Sequence, residues 1–513
     1  MTNIKTCLQT QSGPWLYLLC ALLSIFLFSY TLYLDDILND DGMDYVFAAH
    51  DYMNGQFESA RLFRPEQAFY AQIAFVAQYS GLSLVQSAYS LSLIAQIALM
   101  CGFLALIRVL DGNTVTQLLG ILVFVSLYHL NEFRPHILKG FMFWACQLWA
   151  LWALIRYVQS ARWVFLFTWV ALGLISLVYR IEGIVYLAGT LVVLPLVARG
   201  QARKRFLLLA SSGLIAIVII VASQLHDGNN PGAATPSVSE NHFTTARLKA
   251  ELKRGETIFS GLERQKELFR ETLPNKWAKD SASHFLIGGL LFQVVKVILF
   301  SSNLLLLLLA LSIGKPSLIP RTNSHKLIAA YFLIGVAVCL YSVTSRFFVT
   351  DRYAFFPALL LCLPIPFLLA PLFVNRISIE YQRHQVFRLL VFVIAAQAIL
   401  ATALRDNNDK MYIPEAGDWI NENLPNPEKV YYNDRKIAFY AEAYANRSFR
   451  MNTTSLDSLR DQGYVYAVVH SEARLRKQQQ ILLNTIRTEG NNIHSVHGPK
   501  HKRVDIYDIS TQR

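Results

Sequence analysis

Five aspartates fall within ten residues, Asp35, Asp36, Asp40, Asp41 and Asp44, in a stretch that directly follows an apolar segment at about 14–34 and runs on to Tyr45. Like charges this close repel and raise one another's pKa unless basic groups answer them. A solvated acidic loop without chemistry is the plainer reading. The rest of the chain argues against it. Arg64, Arg134, Arg180, Arg346 and Arg352 all lie in connections that the span parity set out below places on the same side of a membrane as the aspartates. A single interfacial arginine is ordinarily an anchor or a lipid-headgroup contact. A whole set beside an aspartate-rich loop requires an anionic partner. Phosphate is the natural one, because a guanidinium binds it through two parallel hydrogen bonds and keeps its charge.

Transfer of a sugar from a lipid phosphate to an acceptor hydroxyl would use these parts. One carboxylate accepts the proton of the attacking hydroxyl, and a cationic pocket stabilises the charge that grows on the departing phosphate. Phosphate leaves readily without protonation, so no separate general acid is required. Glycosidases differ in using two carboxylates to expel an alkoxide.

The elements that must position these residues follow from composition. The chain has 513 residues, 54% of them hydrophobic and only 16% charged, with a mean hydropathy of +0.34. Repeated apolar runs long enough to cross a bilayer identify an integral membrane protein. Eleven spans are predicted, at about 14–34, 86–109, 114–130, 140–158, 163–179, 184–198, 206–224, 285–311, 327–345, 354–374 and 389–404. The first lacks a small-residue cleavage site and reads as a retained helix. Basic residues cluster in the even connections, as at Arg199 to Arg205 and Arg376 to Arg388, which places the N-terminus in the cytoplasm and the C-terminus outside. The net charge of +12 is explained by these loops and points to no nucleic-acid partner.

Two outer connections are long, 35–85 and 225–284. In the first, Asp44 to Met53 reads as a helix stopping near Gly55, and Pro65 to Tyr79 as an interfacial helix. In the second, the Gly- and Pro-containing first half reads as flexible chain and Thr244 to Glu271 as surface helix. The predicted organisation is a transmembrane catalytic domain over 1–404, including those loops, and a small α/β extracytoplasmic domain over 405–513. In that domain strands are expected at Lys429 to Asn433, Tyr464 to His470, Ile493 to Val496 and Arg503 to Ile509. Of the six cysteines all but Cys7 lie in apolar runs, so neither a disulfide framework nor a Cys/His metal site is expected.

Four stretches carry a family resemblance. Asn39-Asp40-Asp41-Gly42 with Tyr45 and Gly55 is similar to the acidic first-loop motif of the GT-C type integral-membrane glycosyltransferases, which use polyprenyl- or dolichyl-phosphate sugars. Tyr179-Arg180-Ile181-Glu182-Gly183 resembles their Arg-Pro-Glu-Gly stretch, with Ile181 where proline is common. Asp351-Arg352-Tyr353 with Pro357 resembles the opening of a late span, and Trp419-Ile420 with Pro425, followed by Val430 to Asp434, resembles the start of the outer domain. Protein mannosyltransferases and the lipid A aminoarabinose transferase belong to this family. The resemblance implies a multi-pass α-helical GT-C fold and an inverting hexosyl- or pentosyltransferase of the bacterial inner membrane, acting at the periplasmic face.

It also implies that Asp41, or its neighbour Asp40, is the catalytic base; Asp41 would share a helix face with Asp44 and Tyr45. The alternative role for either aspartate is to N-cap that helix. Arg64, Arg180 and Arg352 are expected at the lipid phosphate, with Arg134, Lys139 and Arg346 in reserve. Glu182 is expected either to pair with Arg180 or to touch the sugar, and Tyr353 to pack or donate a hydroxyl. These groups are expected to converge on one extracytoplasmic cavity. The second acidic motif of some members is reduced here to Glu132, and no divalent metal is predicted. The partners implied are a polyprenyl-phosphate sugar as donor, a glycan, lipid or protein as acceptor, and membrane lipids; no cofactor is implied. A flippase of lipid-linked saccharides is the competing class, and it is disfavoured because Lys296 is the main ionisable residue at a span centre. A membrane anchor for an outer binding module is a third class.

Overall fold

The computed structural model describes residues 13–34, 37–211, 253–313, 322–374, 381–403, 408–451, 455–473 and 477–510. Asp35, Asp36, most of the predicted span at 206–224 and the first half of the loop at 225–284 lie outside the described residues. The chain divides into two compact units. One comprises 1–28, 92–134 and 139–402; the other comprises 29–91, 135–138 and 403–513. The sequence places the boundary at 404/405, whereas in the structure the first outer loop, 35–85, packs with the C-terminal region.

In the first unit the apolar runs form helices, as their length and composition require. Among the described residues of the whole chain six helices are long and apolar enough to cross a membrane: Trp15–Leu34, Leu84–Val109, Lys139–Ser160, Ala282–Ser301, Asn323–Arg346 and Asp351–Phe373. Five shorter apolar helices accompany them, among them Thr114–Val125, Trp163–Tyr179 and Gly183–Val197. The protein is thus an integral membrane protein. One predicted span, 285–311, is two helices, Ala282–Ser301 and Leu304–Ile313. The break is at Asn303, whose backbone is left-handed at φ 45°. Its Nδ2 donates to the Ser126 carbonyl at 3.1 Å and its Oδ1 accepts the Leu306 N–H at 3.3 Å. Asparagine tolerates that conformation because its side chain can bond locally.

Helices that are apolar all round give no periodic sign of their inner face. Large rings and hydrogen bonds between helices mark it instead. Trp144 is buried with its ring 4.4 Å from Phe355, Gln147 donates to Ser176 Oγ at 2.7 Å, and the Tyr331 hydroxyl accepts from Trp169 Nε1 at 3.0 Å.

The second unit contains a four-stranded sheet: β1 (Val430–Tyr432), β2 (Tyr466–His470), β3 (Asn491–His497) and β4 (Arg503–Asp508), in the order β1-β2-β4-β3. β1 pairs parallel with β2, and the other pairings are antiparallel. Alternation sends Tyr432, Val468, Val504 and Ile506 to one core with helix Tyr412–Asn423. It sends Tyr431, Ala467, Val469 and Tyr507 to the other, with helices Leu456–Asp461 and Lys477–Glu489. The predicted strands thus lie in one sheet covered on both faces. Gly417 is required by a close approach: a Cβ there would sit 2.3 Å from Tyr440 Cβ and 2.6 Å from the Tyr440 carbonyl carbon. Because backbone is among the obstructing atoms, Gly417→Ala is expected to cost about 2 kcal/mol through overpacking, read as a lowered thermal midpoint; an unchanged midpoint would show that helix Tyr412–Asn423 can shift freely.

The same unit contains three short helices, Asp40–Met53, Phe57–Phe63 and Gln67–Ser80. Phe47 stacks on Phe63 at 5.1 Å and meets Phe439 at 5.9 Å and Phe449 at 5.8 Å. That aromatic cluster holds the first outer segment to the C-terminal region, which explains why the two form one unit. The first helix begins at Asp40, four residues earlier than expected, because Asn39 is its extended N-cap and carboxylates are favoured in a first turn.

Candidate functional site

Neither Asp40 nor Asp41 caps the helix; both occupy its first turn, after Asn39. The Asn39 side chain instead grips a separate segment, its Oδ1 accepting the Ile137 N–H at 2.9 Å. Gly42 makes that approach possible, since a Cβ there would lie 2.7 Å from Asn39 Oδ1 and 3.1 Å from Ile137 Cβ. The carboxylates of this first turn are each answered by a cation. Arg64, in the extended residue that ends helix Phe57–Phe63, bridges Asp41 and Asp44 through Nη2, with Asp44 Oδ2 at 3.0 Å. Its guanidinium also lies 4.9 Å above the Tyr45 ring.

Arg435 holds the other Asp44 oxygen and stands 3.8 Å from Asp40, while Lys436 Nζ is 3.1 Å from Asp40 Oδ1. Exposure grades along the turn: the side chain of Asp40 is 55% exposed, that of Asp41 30% and that of Asp44 11%. Burial raises the Asp44 carboxyl above its ordinary pKa, against the opposing pull of Arg435 and Arg64. Asp41 combines an ion pair with access to solvent, which is what a carboxylate proton acceptor needs. Asp44 has both oxygens occupied and suits holding the arginines in place.

Further along the helix, Asp51 has no exposed side-chain surface and is bound by Arg447 and by the Ser59 hydroxyl. Burial pushes its pKa up, but hydrogen bonds from His50, Ser59 and Arg447 outweigh that and hold it below the usual value. Sequence reasoning missed Arg435, Lys436, Asp51 and Arg447.

The remaining expected residues lie in the other unit. Arg180 forms a two-pronged pair with Glu182, Nη2 to Oε1 at 3.0 Å and Nε to Oε2 at 3.3 Å. It also donates to the Arg352 carbonyl at 3.3 Å and lies 4.5 Å over the Tyr353 ring. The Tyr353 hydroxyl accepts from Arg346 Nη1 at 2.7 Å. The Arg352 guanidinium lies 5.9 Å over Phe133. Burial pushes the Glu182 carboxyl up, and the adjacent Arg180 more than offsets this, so the pKa stays below its usual value. The expected pairing of Glu182 with Arg180 is present. Glu182, Arg346 and Tyr353 border a cavity of about 490 Å³ whose other walls include Ile184, Val185 and Val338. Arg134 is buried, with Nε donating to Asn131 Oδ1 at 2.7 Å and Nη1 to Gln96 Oε1 at 3.2 Å.

Among the described residues no three His, Cys, Asp or Glu side chains gather as metal ligands. The Asp40–Asp44 turn fits a metal poorly for a positive reason, because Arg64, Arg435 and Lys436 already occupy its carboxylates.

No family model matches the sequence, and no curated protein does. Solved structures do resemble the chain. ArnT from Cupriavidus metallidurans bound to undecaprenyl phosphate aligns over 97% of this chain and 98% of that one, at 13% identity and a TM-score of 0.44. The Archaeoglobus fulgidus oligosaccharyltransferase tethered with an acceptor peptide aligns over 98% of this chain and 74% of that one, at 12% identity and a TM-score of 0.50. At that identity the likeness bears on fold alone, and the fold of this chain is shared with that oligosaccharyltransferase.

Proposed function

We propose that the protein is a glycosyltransferase that moves a sugar from a polyprenyl phosphate to an acceptor hydroxyl at the periplasmic face of a bacterial inner membrane. In this reading the N-terminus is cytoplasmic and the C-terminal region periplasmic. The observation that carries it is the Asp41 carboxylate, open to solvent and ion-paired to Arg64 beside the saturated Asp44. The acceptor hydroxyl gives its proton to Asp41, and its oxygen attacks the anomeric carbon from the face opposite the phosphate. The bond from that carbon to the phosphate oxygen breaks, its electron pair stays on the phosphate, and the sugar is inverted. Guanidinium groups take the lipid phosphate and stabilise the growing charge, Arg64 beside the base among them. The shared GT-C fold supports the reading at the level of architecture.

The test is incubation of the purified full chain with polyprenyl-phosphate hexoses and pentoses and candidate acceptors, following free polyprenyl phosphate. Release with one donor class is expected, and no release from any of them would overturn the proposal. No divalent cation is needed here, since Arg64, Arg435 and Lys436 already neutralise the acidic turn. Chelation with EDTA is therefore expected to leave the rate within about twofold, whereas a required metal supplies several kcal/mol and its removal would cost orders of magnitude. A loss of that size, restored by magnesium or manganese, would show that the side-chain cations do not suffice.

A further inference from the structure

Helix Arg435–Tyr440 touches the acidic segment at both of its ends. Arg435 and Lys436 reach Asp44 and Asp40, and the Tyr440 hydroxyl accepts the Leu38 N–H at 2.8 Å. The start of this helix is itself fixed in depth. Asp434 caps it, Oδ1 accepting the Lys436 N–H at 2.9 Å, and Oδ2 lies 2.7 Å from His470 Nδ1. His470 Nε2 is 2.8 Å from the Tyr412 hydroxyl. Asn433 adds two bonds to the backbone of His470: its Nδ2 donates to the His470 carbonyl at 3.0 Å and its Oδ1 accepts the His470 N–H at 2.8 Å. Tyr412 and His470 are each only 3% exposed. A carboxylate–imidazole–phenol chain sealed in this way has no room for a substrate; its effect is to make the first turn of the helix rigid.

We propose that Arg435 is a positioning residue for transfer. Braced by Asp434, His470 and Tyr412, it fixes Asp44, so that Arg64 remains shared between Asp44 and Asp41 and the base stays ionised and aimed. The inference rests on the reading of Asp41 as the base. It assigns the C-terminal region a part in catalysis beyond holding an acceptor. Among the described residues, the charged groups that contacts place at this turn include Arg64 and Asp40 beside it, Arg435 and Lys436 from the braced helix, and Arg450, whose charge also acts on Asp44. Removing one cation from such a set raises the pKa of the carboxylates that remain, so loss of rate must be greatest at low pH.

The experiment uses the full chain in detergent with whichever donor supports release. Arg435→Gln is expected to lower kcat by about tenfold or more and to move the acid limb of its pH profile upward by about 0.5–1 unit, with KM for the lipid donor unchanged. Arg435→Lys should restore the profile in part, and His470→Gln should show the same shift more weakly. Thermal unfolding is measured for each variant, and if Arg435→Gln does not fold, Arg435→Lys and His470→Gln carry the test. A rate and profile equal to wild type in Arg435→Gln, or a uniform loss across pH that Arg435→Lys does not relieve, overturns the inference. Transfer retained by Asp41→Asn overturns the base assignment as well; Asp41→Asn inactive with Arg435→Gln unchanged overturns only the positioning role.

Discussion

Asp41→Asn is expected to reduce transfer by about 10²–10⁴-fold, the contribution of a well-placed general base, while donor binding and thermal unfolding stay close to wild type. Asparagine keeps the shape of the side chain and can still meet Arg64, so the fold has little reason to respond. It cannot accept the acceptor's proton, so the chemical step loses what the carboxylate supplied. Asp40→Asn is the internal control. Asp40 is the more exposed of the two and faces Lys436, and its replacement should cost far less. If the two variants lose the same activity, or if Asp40→Asn is the more damaged, the assignment moves to Asp40.

The second large effect is on stability. Asp51→Ala removes the only side-chain carboxylate that the described contacts give Arg447 and deprives the Ser59 hydroxyl of its acceptor. Breaking a buried pair from one side leaves an uncompensated charge, which costs roughly 3 kcal/mol here, the lower end for such pairs because Arg447 retains some exposure. Chemical unfolding of the purified protein would register the loss as an earlier transition of the second unit. The pH dependence has a definite sign. Asp51 is held below its usual pKa in the fold, so its stabilising contribution is fully present above the unfolded value of about 4 and disappears as pH falls through the folded value. Wild type and Asp51→Ala should therefore differ most near neutrality and converge in acid. Asp44 works in the opposite direction: its pKa is raised in the fold, so ionising it on going up through the usual carboxylate range costs stability. A gap between wild type and Asp51→Ala that widens in acid would contradict the account of Asp51.

Arg435 and Lys436 show why part of the candidate site could not be read from the chain. They are some 390 residues from Asp44 in sequence, and no periodicity links segments so distant. One local signal was present. Asp434 is a good N-cap, so the next two residues open a helix, and cations there oppose the helix dipole. Two basic residues in a first turn are a small cost that nearby carboxylates offset, and such a placement can be searched for. Asp51 offered no comparable sign, being one polar residue in a helix that buries most of its length.

What the sequence determined by itself is the set of local facts. Runs of apolar residues long enough for a bilayer had to become helices, and alternation in the C-terminal region had to become strands. The motif order also pointed to the GT-C fold. Only the tertiary structure decided which carboxylate is buried between cations and which keeps access to solvent, because that depends on groups delivered from elsewhere in the chain: Arg64 by the end of a short helix, Arg435 by a turn capped against the sheet. It likewise decided that the segment after the first apolar helix packs with the C-terminal region, since the aromatic cluster around Phe47 forms only when residues from both are brought together. Backbone propensity acts over a few residues, whereas charge neutralisation and ring packing are settled by whatever the fold places within a few ångströms.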